Sequence, residues 1–394
     1  MNSSGMFMIF RINYFILFIF IITFSSKSYS QNMLGYIDPQ GDYYVNDAGK
    51  IVHLEHLRIN SSQPAANSIA YISGSGILTY YSEHEVKKLD VSNPTFYENT
   101  DYYLYYSTGG NFSVYDGKER KYLGYIQNNP YAFGDSIAAV HDYSEYFYTY
   151  YQNRFIELEQ NPVRKVMAGD NLIAYINHLG QFKIYYNGEK NDVDDYIPIK
   201  IGAGSNTVAY IDNYNYLKIF YKGEIFELFN IPQINCLEIP GGVNDDYLPD
   251  YCNDQIAYDI ESGLSVFKTG DDIVAYIDDQ GRFQVFYEGK IIVLEQQPPL
   301  RYEIVDNMLW YIDNNNYFKV FNYGKLSVVE TFFPERIKAD KDVVVYLDLD
   351  KRLKAFYNER KITISNTIVL DFELNNTLIM YNDIPNKYKF FSLK

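Results

Sequence analysis

A block reading Tyr-Ile-Asp, a short turn, then an aromatic run closing near Gly returns about every 35 residues along the chain. The clearest copies are VAYIDNYNYLKIFYKGE from Val208, VAYIDDQGRFQVFYEGK from Val274 and LWYIDNNNYFKVFNYGK from Leu309. Anchoring tyrosines stand at Tyr36, Tyr71, Tyr105, Tyr175, Tyr210, Tyr276, Tyr311, Tyr346 and Tyr381, with successive gaps of 35, 34, 70, 35, 66, 35, 35 and 35. The gap of 70 holds a degenerate copy near Ala139-Val140-His141-Asp142, and the gap of 66 is one repeat plus an insertion of about 31 residues. Ten copies result. A fixed period in the range of about 20–50 residues marks a solenoid, propeller or repeat array.

One copy shows what each unit can fold into. In residues 270–305, Gly270-Asp271-Asp272 is a turn and Ile273 to Ile277 a β-prone apolar run. Asp278-Asp279-Gln280-Gly281 is a hairpin, because Asp accepts turn N–H bonds and Gly supplies positive φ. Phe283 to Tyr287 and Ile291 to Leu294 are further strands. Pro298-Pro299 breaks the chain before a fourth strand, Tyr302 to Val305, which leads into the next copy. Four strands of about five residues fill the period and leave no room for a helix, so the chain is expected to be all-β. In the strand around Leu217, Ile219 and Tyr221 point one way with it; Lys218 and Phe220 point the other, and equivalent strands repeat this. One face is apolar throughout and the other is aromatic in its second half. Sheets buried on both faces need layers on both sides, which a ring of blades provides.

These residues resemble propeller repeats, especially the Tyr-Trp-Thr-Asp class, in which a strand ends in aromatic-x-x-Asp before a hairpin. The counterparts here are Tyr210-Ile211-Asp212, Tyr276-Ile277-Asp278, Tyr311-Ile312-Asp313 and Tyr346-Leu347-Asp348, without the Trp and one residue shorter. The stretch Gly35-Tyr36-Ile37-Asp38-Pro39-Gln40-Gly41 is also similar to the WG β-repeat, though the Trp-Gly pair is missing. The resemblance implies an architecture and no particular activity. The expected fold is thus a β-propeller of about ten four-stranded repeats, with eight to ten blades; two smaller rings or an open β-array are the alternatives. The chain enters near a Tyr36 strand and stops two strands into the Tyr381 copy, which suggests closure by one blade shared between the termini.

Residues 1–30 read as a secretory signal peptide. Arg11 precedes an apolar run from Tyr14 to Phe24, and Ser28 and Ser30 fit a small-residue cleavage site. Eleven residues fall short of the roughly 20 a membrane helix needs. Residues 31–394 would then form the propeller, exported to periplasm, cell surface or medium, with no membrane span in the mature chain. The whole chain carries a net charge of −16, and removal of Arg11 and Lys27 with the signal makes it −18. Such a surface repels phosphate backbones, so nucleic acid is not an expected partner.

The insertion, about residues 231–262, holds both cysteines, Cys236 and Cys252, which an exported chain is expected to join as a disulfide. It also carries Asp245, Asp246, Tyr247, Asp250 and Tyr251, the candidate binding residues, because long irregular loops on rigid scaffolds tend to carry binding. The three aspartates offer oxygen ligands to Ca²⁺, but their spacing matches no EF-hand loop, and a solvated decoration without a ligand is the simpler reading. No cofactor is expected. The recurrent Asp38, Asp212, Asp278, Asp313, Asp348 and Asp383 sit immediately before hairpins, a structural position. The five histidines (His53, His56, His84, His141, His178) are scattered without a His-Glu-x-x-His spacing. No nucleophile elbow or nucleotide loop occurs. Enzymatic activity is unsupported by any such pattern. The chain is expected to be an exported, non-catalytic binding or scaffold protein for a protein or glycan partner. An envelope enzyme acting on polysaccharide and a structural subunit of a surface complex are the alternatives.

Overall fold

The computed structural model describes residues 32–126, 131–231, 258–259 and 264–394. Every regular element among them is a strand, and among the described residues no helix is long and apolar enough to cross a membrane. Among the described residues, ten antiparallel sheets of three or four strands follow one another as blades, with a separate two-stranded pairing of Tyr258–Asp259 with Leu264–Ser265 between the sixth and seventh; residues 31–394 form one compact unit. In the complete blades the strands run in sequence order from the axis outward, so each blade is a simple meander. Blade 5 serves as the pattern: Lys165–Ala168 innermost, then Leu172–Ile176, Phe182–Tyr186 and Glu189–Asp194 at the rim.

Burial follows this order. The second strands Leu172–Ile176, Thr207–Ile211, Met308–Ile312 and Val343–Leu347 are buried at every position, whereas the outer strands are mostly exposed. A second strand has a neighbour on each edge and a blade against each face, so β-branched and aromatic residues are favoured on both sides. Between blades 8 and 9 the core is Met308, Trp310, Ile312, Phe318, Val320, Val344, Tyr346 and Phe356. Fully burying one such side chain contributes about 1.5–3 kcal/mol, so the inter-blade layers hold the ring together.

In blades 5 to 9 the anchoring tyrosine packs backward onto the preceding blade. Tyr175, Tyr311 and Tyr346 donate to Glu159, Glu295 and Glu330 at 3.0, 2.8 and 2.8 Å, each glutamate ending the previous outer strand. A lysine of the third strand joins them: Lys319 lies 2.6 Å from Glu295 and 2.8 Å from Asp313, and Lys354 3.4 Å from Glu330 and 3.0 Å from Asp348. The other oxygen of these aspartates does the expected turn work, Asp313 Oδ1 accepting from the N–H groups of Asn315 and Tyr317. Asp38, Asp212, Asp278 and Asp348 repeat that pattern. Asp383 departs from it, for its strand runs on to Ile384 and its carboxylate binds Thr367 and Lys389 instead.

Three details differ from the sequence reading. Tyr302 to Val305 does not complete the sheet before it; Arg301–Val305 pairs with Met308–Ile312 as the inner strand of blade 8, so sheet and sequence repeat are offset by one strand. In blade 3 the backward-facing tyrosine is Tyr106, not Tyr105: Tyr106 pairs with Tyr97 as Tyr71 pairs with Ser62, and Val140 takes this place in blade 4. Finally, among the described residues no blade is shared at closure. Blade 1 (Met33–Ile37, Tyr43–Asp47, Lys50–Glu55) and blade 10 (Asp371–Asn375, Leu378–Ile384, Lys387–Ser392) are separate three-stranded sheets packed face to face. Leu34, Leu378 and Met380 form their buried contact, and Asn375 Nδ2 donates to the carbonyls of Met33 and Ala65 across the seam.

Candidate functional site: an acidic mouth on the axis

The turns joining inner to second strands gather at one end of the axis. Their sequences echo one another: Gly134-Asp135-Ser136, Gly169-Asp170-Asn171, Gly204-Ser205-Asn206 and Gly270-Asp271-Asp272. Glycine is required by proximity here. A Cβ on Gly169 or Gly204 would stand 1.7 Å from the carbonyl oxygen of the next blade's glycine. Backbones this close bond directly, Asn206 N–H to Asp271 O at 3.1 Å and Asp271 N–H to Asp306 O at 2.9 Å. Successive turns are thereby locked into a rigid arc, and the residue after each glycine is aimed into the mouth.

Asp101, Asp135, Asp170, Asp271, Asp306 and Lys341 line a cavity of about 540 Å³, together with Ser205, Asn171 and Tyr323 among others. Carboxylate oxygens of Asp170, Asp271 and Asp306 all lie within 4.8 Å of one another, a spacing at which like charges oppose ionisation. Burial first, and then the charges of Asp170, Asp101 and Asp306, push the Asp135 carboxyl up to about 7 despite Lys341. Burial and the neighbouring aspartates raise Asp271 to about 6, although Ser205 donates to it. Burial, Asp340 and Asp170 raise Asp306 to about 6. Lys341, from blade 9, reaches Asp101 of blade 3 at 2.5 Å, so one ammonium already bridges distant parts of the rim.

Proton bookkeeping at Ser205 points the same way. Its Oγ lies 2.8 Å from both Asp170 Oδ2 and Asp271 Oδ1. A hydroxyl carries one proton, so it can donate to only one of them. The second contact calls for a proton on a carboxyl or for a cation nearby. The three carboxylates could hold a divalent cation through oxygen ligands, or receive an ammonium or guanidinium.

The candidate binding residues Asp245, Asp246, Tyr247, Asp250 and Tyr251, and the cysteines Cys236 and Cys252, lie outside the described residues. Sequence reasoning missed the mouth. Its signal was present: with Tyr106 and Val140 as the blade 3 and 4 anchors, the residue five places before the anchor is Asp101, Asp135, Asp170, Asp271 and Asp306, and Lys341 in blade 9. The one-residue misplacement at Tyr105 broke that column.

No curated protein matches the chain. Among solved structures, the computationally designed Ika8 protein is 14% identical, with 76% of this chain and 96% of that one covered and a TM-score of 0.35. BamB from Moraxella catarrhalis is 9% identical over 76% and 96%, with a TM-score of 0.32. The CRINKLY WD40 ectodomain of the Arabidopsis thaliana receptor kinase ACR4 is 9% identical over 67% and 94%, with a TM-score of 0.32. A family model described as a 10-bladed beta propeller domain matches residues 5–129, 123–235 and 251–393. That span takes in most of the chain and agrees with the ten sheets counted above: the chain belongs to the 10-bladed β-propeller domain family.

Proposed function

We propose that this protein is an exported, non-catalytic binding scaffold that seats a cationic group of a partner in its acidic axial mouth. The observation that carries this reading is the convergence of Asp135, Asp170, Asp271 and Asp306 around a cavity in which Lys341 is the lining cation. A cation entering there replaces protons that the crowded carboxyls otherwise retain, so binding releases protons and tightens as pH rises through about 6–7. The rigid arc of glycine-packed turns supports it further, since pre-organised ligands lose little entropy on binding. The charge favours a protein partner offering Lys or Arg, or a divalent cation, over a neutral glycan. Export rests on the apolar run and small-residue site within residues 1–30.

The test is calorimetric titration of the protein with CaCl₂ alone and, separately, with a lysine-rich peptide, at pH 5.5 and 7.5. Saturable binding of either at pH 7.5, weakened at least tenfold in Asp271→Asn/Asp306→Asn, is expected. Heats absent from both titrations, or untouched by the double substitution, would overturn the mouth as the site. Sustained release of reducing ends from a polysaccharide panel would overturn the non-catalytic reading.

A further inference from the structure

Blade 1 differs from the lysine-bearing blades in a chemically specific way. In blades 5, 6, 8 and 9 the third-strand residue opposite the anchoring tyrosine is a lysine: Lys183, Lys218, Lys319 and Lys354. Each pairs with carboxylates. In blade 1 that position is Tyr44. Its cross-strand partner, Asp192 in blade 5 and Glu227 in blade 6, is here His53. The lysine is gone, and imidazoles take the place of the outer-strand carboxylate.

His53 is joined there by His56 and Asp42. His53 Nε2 lies 3.4 Å and His56 Nδ1 3.9 Å from the same oxygen, Asp42 Oδ2, and one ligand atom from each of the three falls within 4.8 Å of the others. Local structure explains the meeting. A bulge between Tyr43 and Tyr44 sets His53 across from Tyr44 and Glu55 across from Tyr43. Beyond the strand end the chain turns His56 back onto His53, with ring centroids 4.2 Å apart. Asp42 is held from behind, its N–H donating to Asp38 Oδ1 at 2.9 Å. Tyr44 packs on the other side of His53 at 4.9 Å.

The distances discriminate between two uses. A hydrogen bond from imidazole to carboxylate is about 2.7–3.2 Å, shorter than either separation. Ligand atoms bound at about 2.0–2.1 Å in a tetrahedron are separated by about 3.4 Å, near both. We propose that Asp42, His53 and His56 form a site for a divalent transition-metal ion of the zinc type. Two imidazole nitrogens and one carboxylate oxygen are a ligand set that prefers such ions to Ca²⁺ or Mg²⁺. A fourth coordination position remains for water or an outside ligand. It lies beside a groove of about 780 Å³ that His56, Arg58, Asp38 and Tyr388 help to line at the blade 10–blade 1 seam. This site is independent of the axial mouth, which carries no imidazole.

The experiment is a Zn²⁺ titration of the full chain against a chromophoric chelator at pH 7.5, repeated with Co²⁺ as a spectroscopic probe. The wild-type chain is expected to withdraw one Zn²⁺ from the chelator and to show visible d–d bands of low-coordinate Co²⁺. His53→Ala, His56→Ala and Asp42→Asn should each weaken Zn²⁺ at least tenfold, while His178→Ala leaves it unchanged. His56 is exposed and the His53 side chain is half-buried at the rim, so melting temperature should report that the variants remain folded. Equal Zn²⁺ affinity in the wild type and in His53→Ala/His56→Ala would overturn the site, as would loss of Zn²⁺ on Asp271→Asn instead.

Discussion

Two groups of aspartates in this ring keep different company. At the blade interfaces, burial opposes ionisation of Asp313 and Asp348, yet lysines and turn N–H groups outweigh it and hold both carboxyls below the usual range. At the axial mouth burial is joined by other carboxylates, and Asp135, Asp271 and Asp306 rise to about 7, 6 and 6. The first group is settled structure. The second is held in an unsatisfied arrangement by a rigid backbone, which is the usual mark of a place where something binds.

Breaking an interface cluster should have the largest effect. Lys319, with 13% of its side chain exposed, serves Glu295 and Asp313 together. Lys319→Met leaves two largely buried carboxylates facing each other beside the Tyr311 hydroxyl, and is expected to lower stability by about 2–3 kcal/mol at pH 7 in urea denaturation. A loss under about 0.5 kcal/mol would show that these clusters are decoration.

The mouth should respond to pH in the opposite sense. A carboxyl whose folded pKa is raised binds protons more tightly folded than unfolded, so stability falls as pH rises from about 4 to about 7 and is level above. The interface aspartates, with lowered values, add stability above their unfolded pKa that disappears as pH falls through the folded one, below about 4. Asp271→Asn should therefore be more stable than the wild type at pH 8, by about 1 kcal/mol after allowance for solvent screening. The gain should shrink steadily as pH falls and be lost below about pH 4. Melting curves across pH 4–8 would show it, and parallel curves for the two chains would contradict the account.

The smallest effect is expected from Lys341→Met. This ammonium is 41% exposed, so its removal should cost about 0.5 kcal/mol at pH 8. It should also move Asp135 and Asp306 further up, because both are restrained by it, as carboxyl carbon titration by NMR would record.

Much of the fold was legible because a propeller repeats its constraints. The Asp before each hairpin accepts turn N–H bonds wherever the turn ends its strand, so its role could be read from Asp212 or Asp313 alone; Asp383 escaped because its strand continues. The aromatic alternation announced two buried faces, and the structure adds that one of them carries a tyrosine bonded to the preceding blade's glutamate. The mouth was less legible. Its residues are spread from Asp101 to Lys341, and in each repeat a lone Asp in a short connection, after a glycine at Asp135, Asp170 and Asp271, is indistinguishable from an ordinary turn. The histidine pair was hidden similarly, since His53 and His56 approach Asp42 only through a strand bulge.

Period, strand content and unit number are local properties, repeated often enough that each copy corrects the others, and the chain alone determined them. How the ring closes, which turns share the axis and which charges therefore crowd together depend on curvature accumulated over ten blades. Only the tertiary structure decided those, because electrostatic repulsion follows distance in space, and residues 240 apart in sequence, Asp101 and Lys341, are neighbours there.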